Sequence, residues 1–87
     1  MTEVIKILLV EDDEDDYFLT SDYLQQCESP SFELTWVTNS LDAIEALKSD
    51  SFDLCLLDYL LGAENAIDVL GVLKSNQFSL PVVILTG

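Results

Sequence analysis

The stretch "VIKILLV" (Val4–Val10) runs straight into "EDDEDD" (residues 11–16), and its reading decides the fold. Lys6 is the one charged residue of the apolar run, which acids bound on both sides. A strand with one wet face alternates polar and apolar residues. This run does not alternate, so it predicts a strand buried on both faces. Six consecutive acids at the end of such a strand pose a chemical question. Some must simply face water; the issue is whether any two of them hold a cation.

Outward from this strand, the same pattern recurs. Residues 15–27 carry a helical rhythm in which Phe18, Leu19, Tyr23 and Leu24 share a broad face. "ESPS" (residues 28–31) breaks that helix, and "FELTWV" (residues 32–37) predicts a second strand rich in aromatic and β-branched residues. "TNS" (residues 38–40) supplies a cap for "LDAIEALKS", whose apolar positions are Leu41, Ile44 and Leu47, with alanines at Ala43 and Ala46. "FDLCLLD" (residues 52–58) predicts a third strand and "AIDVLGVLKS" (residues 66–75) a third helix, to which Gly71 costs some propensity. "LPVVILTG" (residues 80–87) predicts a fourth strand, with Pro81 at a first position where no ladder N–H is needed. The order is β-α-β-α-β-α-β. Short right-handed crossovers turn it into an α/β fold of three layers, a doubly wound parallel sheet between helices. Such a fold would continue past Gly87, so the expectation is a domain fragment spanning residues 1–87.

Composition narrows the function. A chain of 87 residues and 9.7 kDa makes one small domain, and 49% hydrophobic content is enough for a core. Seventeen acids face three lysines (Lys6, Lys48 and Lys74), with no histidine and a formal net charge of −14. Phosphate backbones and anionic membrane surfaces are repelled, so neither nucleic acid nor membrane is an expected partner. Divalent cations and basic protein surfaces are. Cys27 and Cys55 lack metal-site spacing, and Cys55 reads as a small buried hydrophobe. The apolar runs are too short to span a bilayer, and no basic-apolar leader opens the sequence. The expected location is the cytoplasm.

Chemistry in parallel α/β sheets gathers beyond the carboxyl ends of the strands. Glu11 and Asp12 follow the first strand, Asp58 ends the third and Thr86 ends the fourth. If the first and third strands are neighbours, three carboxylates converge. Like charges in a small space are costly, and a hard divalent cation such as magnesium relieves that cost. Asp58 is then both ligand and nucleophile toward a phosphoryl donor, and Thr86 is placed to donate its hydroxyl to a phosphoryl oxygen. Each residue alone also has a plainer reading. Asp58 fits a turn or cap, Thr86 an ordinary strand end, and Glu14, Asp15 and Asp16 the start of a helix; Asp13 fits either. Trp36, Tyr17, Tyr23 and Tyr59 read as packing residues. An EF-hand calcium loop does not fit, because the run lacks its alternating ligands and turn glycine.

Together, "ILLVEDD", "FDLCLLDYLLG", "NSLDAIEAL" and "LPVVILTG" resemble the receiver domain of two-component response regulators, a flavodoxin-like fold. The resemblance covers essentially the whole chain and about the first two thirds of a receiver, so the final helix-strand-helix segment is expected to lie beyond it. It implies that Asp58 accepts a phosphoryl group from a histidine kinase or a histidine phosphotransfer protein. It implies magnesium, with manganese as a substitute, held by Asp12 directly, by Glu11 mainly through water, by Asp58 and by the backbone carbonyl of Leu60. Thr86 contacts the phosphoryl group and couples it to a switch that acts on an output domain. A complete domain of this kind catalyses its own phosphotransfer and dephosphorylation. The lysine and the switch aromatic that the family draws on belong to the later segment, and Lys74 does not replace that lysine. Gly62 stands where a proline is common, and Ala66 where a glycine is usual; Ala66 is strained only at positive φ. A haloacid-dehalogenase-like phosphatase fits poorly, because Leu60 occupies the place of its second Asp. The alternative is a receiver-like module that docks or homodimerises without phosphorylation, through the exposed edge of "VVILT".

Overall fold

A computed structural model describes residues 4–27, 31–61 and 64–85. Strands β1 (Val4–Val10), β2 (Ser31–Val37), β3 (Leu54–Asp58) and β6 (Val82–Leu85) form one parallel sheet in the order β2-β1-β3-β6. Helices α1 (Glu14–Gln25), α2 (Ser40–Ser49) and α3 (Ala66–Ser75) connect them. Two-residue strands β4 (Leu60–Leu61) and β5 (Glu64–Asn65) pair as a hairpin between β3 and α3, too short for any periodicity to have announced it. The expected bounds of the first strand and third helix hold. The third strand starts at Leu54 rather than at residue 52, and the fourth at Val82, directly after Pro81.

Register explains the two buried faces of the central strands. Leu8 lies beside Cys55 and Val10 beside Leu57, so these four share a face. They are fully buried there with Ala43 and Ile44 of α2 and Ala66, Val69 and Leu73 of α3. Ile7 and Leu9 point the other way and are equally buried. Trp36 pairs in register with Leu9 and stacks on Tyr17 of α1, which places α1 on that second face. The layers are therefore α2 and α3, the sheet, and α1. Burial pushes the Cys55 thiol up to about 11, as suits an inert core residue. Truncating Leu57, which is 0% exposed, is expected to cost about 3 kcal/mol. Urea unfolding should show this as a lower midpoint at unchanged m-value; an unshifted midpoint would contradict the packing described.

Helix α1 departs from the expected face. Phe18, Leu19 and Tyr23 are 52%, 63% and 76% exposed, and no residue of α1 is fully buried. Its half-buried residues are Tyr17, Thr20, Ser21 and Leu24, spaced as one helical stripe. The stack of Tyr17 on Trp36 rotates the helix away from its most apolar side.

At the amino-terminal pole, the Lys6 N–H donates to the Asp53 carboxylate (2.9 Å) and the Asp53 N–H to the Lys6 carbonyl (2.8 Å), while the Lys6 ammonium pairs with Asp50. These contacts pin the register of β1 on β3, which decides what meets at the opposite pole.

Candidate functional site

Strand order reverses at β1: β2 lies to one side of it and β3 to the other. That places a crevice beyond the carboxyl ends of β1 and β3. Val10 is in register with Leu57, so the next residues, Glu11 just past β1 and Asp58 at the last position of β3, stand side by side. Glu11, Asp12 and Asp58 each offer a carboxylate oxygen, and these oxygens all lie within 4.8 Å of one another. Glu11 is 3% exposed, Asp58 is half-buried and Asp12 is open to solvent.

The rest of the acidic run has other work. Asp13 caps α1, its carboxylate accepting from the N–H groups of Asp15 (2.8 Å) and Asp16 (3.4 Å). Glu14, Asp15 and Asp16 form the first turn, where the helix dipole favours negative charge. Asp13 thus resolves as a cap. Asn39 caps α2 by accepting from the Asp42 N–H (2.9 Å), and Asn65 forms a capping box with Asp68 that opens α3.

Electrostatics follow from this crowding. Desolvation pushes the Glu11 carboxyl up to about 7; the charges of Asp58, Asp16 and Asp12 add to the rise, and a hydrogen bond from the Asp13 N–H (3.1 Å) opposes it. Asp58 is also raised, first by desolvation and then by the charge of Asp12, against hydrogen bonds from the Glu11 carboxyl and the Tyr59 N–H. Carboxyl groups crowded in this way resist ionising together.

Backbone bonds fix the floor of the crevice. The Glu11 N–H donates to the Val37 carbonyl (3.0 Å), and the Tyr59 N–H to the Leu85 carbonyl (3.0 Å). The Ala66 N–H donates to the Tyr59 carbonyl (3.0 Å), which makes Leu60 and Asn65 a non-hydrogen-bonded pair. The Leu60 carbonyl is therefore turned away from β5. Ala66 opens α3 fully buried, and the one non-glycine with positive φ among the described residues is Gln77, so Ala66 is unstrained. Thr86 and Gly62 lie outside the described residues.

One contact at the site escaped the sequence reading. The Trp36 indole N–H donates to the Glu11 carbonyl at 2.7 Å, across 25 positions of sequence. Nothing in the local pattern of either residue signals it.

The sequence profile of the response regulator receiver domain family matches residues 7–87. The chain belongs to that family. The receiver is 35% identical over 86 residues to the autoinducer 2 sensor kinase/phosphatase LuxQ of Vibrio cholerae, covering 94% of this chain and 9% of LuxQ. It is 35% identical over 86 residues to the response regulator protein PmrA of Pseudomonas aeruginosa, covering 95% of this chain and 36% of PmrA. In structure it resembles the MaeR response regulator bound to beryllium trifluoride, with a TM-score of 0.82 and 31% identity over 95% of this chain and 67% of that one. Receiver family, doubly wound fold and acidic cluster together support a phosphoacceptor-type role in two-component signalling. Among the described residues, no helix is long and apolar enough to cross a membrane.

Proposed function

We propose that this receiver accepts a phosphoryl group on Asp58 from the phosphohistidine of a histidine kinase or phosphotransfer protein, in a magnesium-dependent reaction in the cytoplasm, and so switches an output. The observation that carries this reading is the meeting of Glu11, Asp12 and Asp58 at adjacent strand ends. Their donor set is all oxygen, with no histidine in the chain, and fits a hard cation; manganese should substitute. Asp12, Asp58 and the Leu60 carbonyl would hold the ion, with Glu11 acting mainly through water. When bound, the cation offsets the negative charge shared by the nucleophile and the transferring group.

The chain's own residues do the rest. Asp58 is half-buried at the end of a pinned strand, so its backbone position is fixed while its carboxylate still reaches solvent. Attack by a carboxylate oxygen breaks the phosphorus–nitrogen bond of the donor and forms an acyl phosphate; the imidazole leaves and takes a proton. Hydrolysis of the acyl phosphate returns Asp58. Thr86, next in sequence after β6, is assigned to donate its hydroxyl to a phosphoryl oxygen. The same kind of stretch occurs within a sensor kinase/phosphatase and within a response regulator, so an attached output domain and a relay position both suit it. Beryllium trifluoride, carried by MaeR, is a chemical stand-in for a phosphoryl group.

Incubation of the full-length protein with acetyl phosphate tests the proposal. Magnesium should be required, a chelator should block labelling, and peptide mapping should place the label on Asp58. Labelling that ignores the chelator, or that maps elsewhere, would overturn it.

A further inference from the structure

We infer that Trp36 is a positioning residue for the acidic site, holding the peptide that leads from Glu11 into Asp12. The inference rests on the proposed cation-binding role of that site. Trp36 is the next-to-last residue of β2, an outer strand that carries no member of the acidic cluster. Its indole N–H donates to the Glu11 carbonyl at 2.7 Å, short for a bond of this type. That oxygen belongs to the planar peptide shared with the Asp12 nitrogen. Fixing the oxygen therefore fixes the plane from which Asp12 departs.

A second attachment holds the other side of the turn. The Trp36 ring lies nearly parallel to Tyr17, with centroids 4.2 Å apart and planes 9° apart. Tyr17 sits one turn into α1, and its N–H donates to the Asp13 carbonyl (3.0 Å). One side chain thus grips both ends of the Glu11-Asp12-Asp13 turn, from β1 and from α1. The turn needs holding, because the carboxylates it carries repel one another and the charge of Asp58. Helix α1 has no fully buried residue, so the aromatic stack is a main attachment of that helix to the sheet. Phenylalanine at position 36 would keep a ring on Tyr17 and lose the donor, which separates positioning from packing.

Magnesium calorimetry on the wild type, Trp36→Phe and Asp12→Asn tests this, beside the indole N–H resonance of Trp36, the single tryptophan of these 87 residues. Wild type is expected to bind, and Trp36→Phe to bind about tenfold more weakly with an unchanged far-ultraviolet circular dichroism spectrum. The indole resonance should move with the calorimetric midpoint in the wild type and stay still in Asp12→Asn. Equal affinity in Trp36→Phe, or an indole resonance unmoved at saturating magnesium, overturns the inference and leaves the cation site standing. Absence of binding in the wild type removes both. If Trp36→Phe fails to fold, the indole titration decides alone.

Discussion

Asp58→Ala is expected to abolish magnesium-dependent labelling by acetyl phosphate, lowering its rate by about a thousandfold or more. The substitution removes the nucleophile itself, and neither neighbouring acid replaces it well. Glu11 is 3% exposed, with its carboxyl pushed up to about 7, so at neutral pH it is both hidden and partly protonated. Asp12 is open to solvent and lies on the turn after β1, where it is assigned to hold the cation rather than to attack. The fold should survive the change. The ladder bond beyond Asp58 is made by the Tyr59 N–H and the Leu85 carbonyl, both backbone groups. Loss of one of three crowded carboxylates also relieves repulsion, so the cation-free variant should unfold no earlier than the wild type. Labelling that persists in a folded Asp58→Ala protein would place the phosphoryl group on another residue.

The second large effect is a pH dependence of stability seated at Glu11. Burial raises its folded-state value to about 7 from an ordinary 4.5. Between those values the folded chain keeps a proton that the unfolded chain has released. Bound protons are then fewer in the unfolded state, so unfolding free energy falls as pH rises. The stabilisation is complete below about 4.5 and gone above about 7, and the shift corresponds to at most about 3 kcal/mol. Urea unfolding with chelator at pH 5 and pH 8 should show the wild type losing stability toward high pH. Glu11→Gln cannot titrate and should lose markedly less. Magnesium at pH 8 should restore what the wild type lost, because it binds the ionised cluster of the folded chain only. Identical pH profiles for wild type and Glu11→Gln in chelator would contradict this account of Glu11.

Much of this was legible in the residues. "VIKILLV" has no wet face, and the structure buries both sides of it, with Leu8 and Val10 packed under α2 and α3 and Ile7 and Leu9 facing α1. The meeting of Asp58 with Glu11 followed from strand order, which right-handed crossovers restrict to few possibilities. Legibility failed where contacts were long-range or elements were short. The apolar pattern of α1 points to Phe18, Leu19 and Tyr23, yet Tyr17 docks the helix, because its partner Trp36 comes from a distant strand. The Leu60–Leu61 hairpin with Glu64–Asn65 has no periodicity to detect. The bond from Trp36 to the Glu11 carbonyl depends on a backbone oxygen, which carries no residue signature.

Paramagnetic manganese tests the central claim most directly, because a chain of net charge −14 attracts cations everywhere and only a built site concentrates them. In a two-dimensional amide spectrum, substoichiometric manganese is predicted to broaden the resonances of Glu11, Asp12, Asp58, Tyr59 and Leu60 first, and excess magnesium to sharpen them again. Broadening spread evenly over the acids of α1, with no preference for the ends of β1 and β3, would contradict the claim that these carboxylates form one cation site.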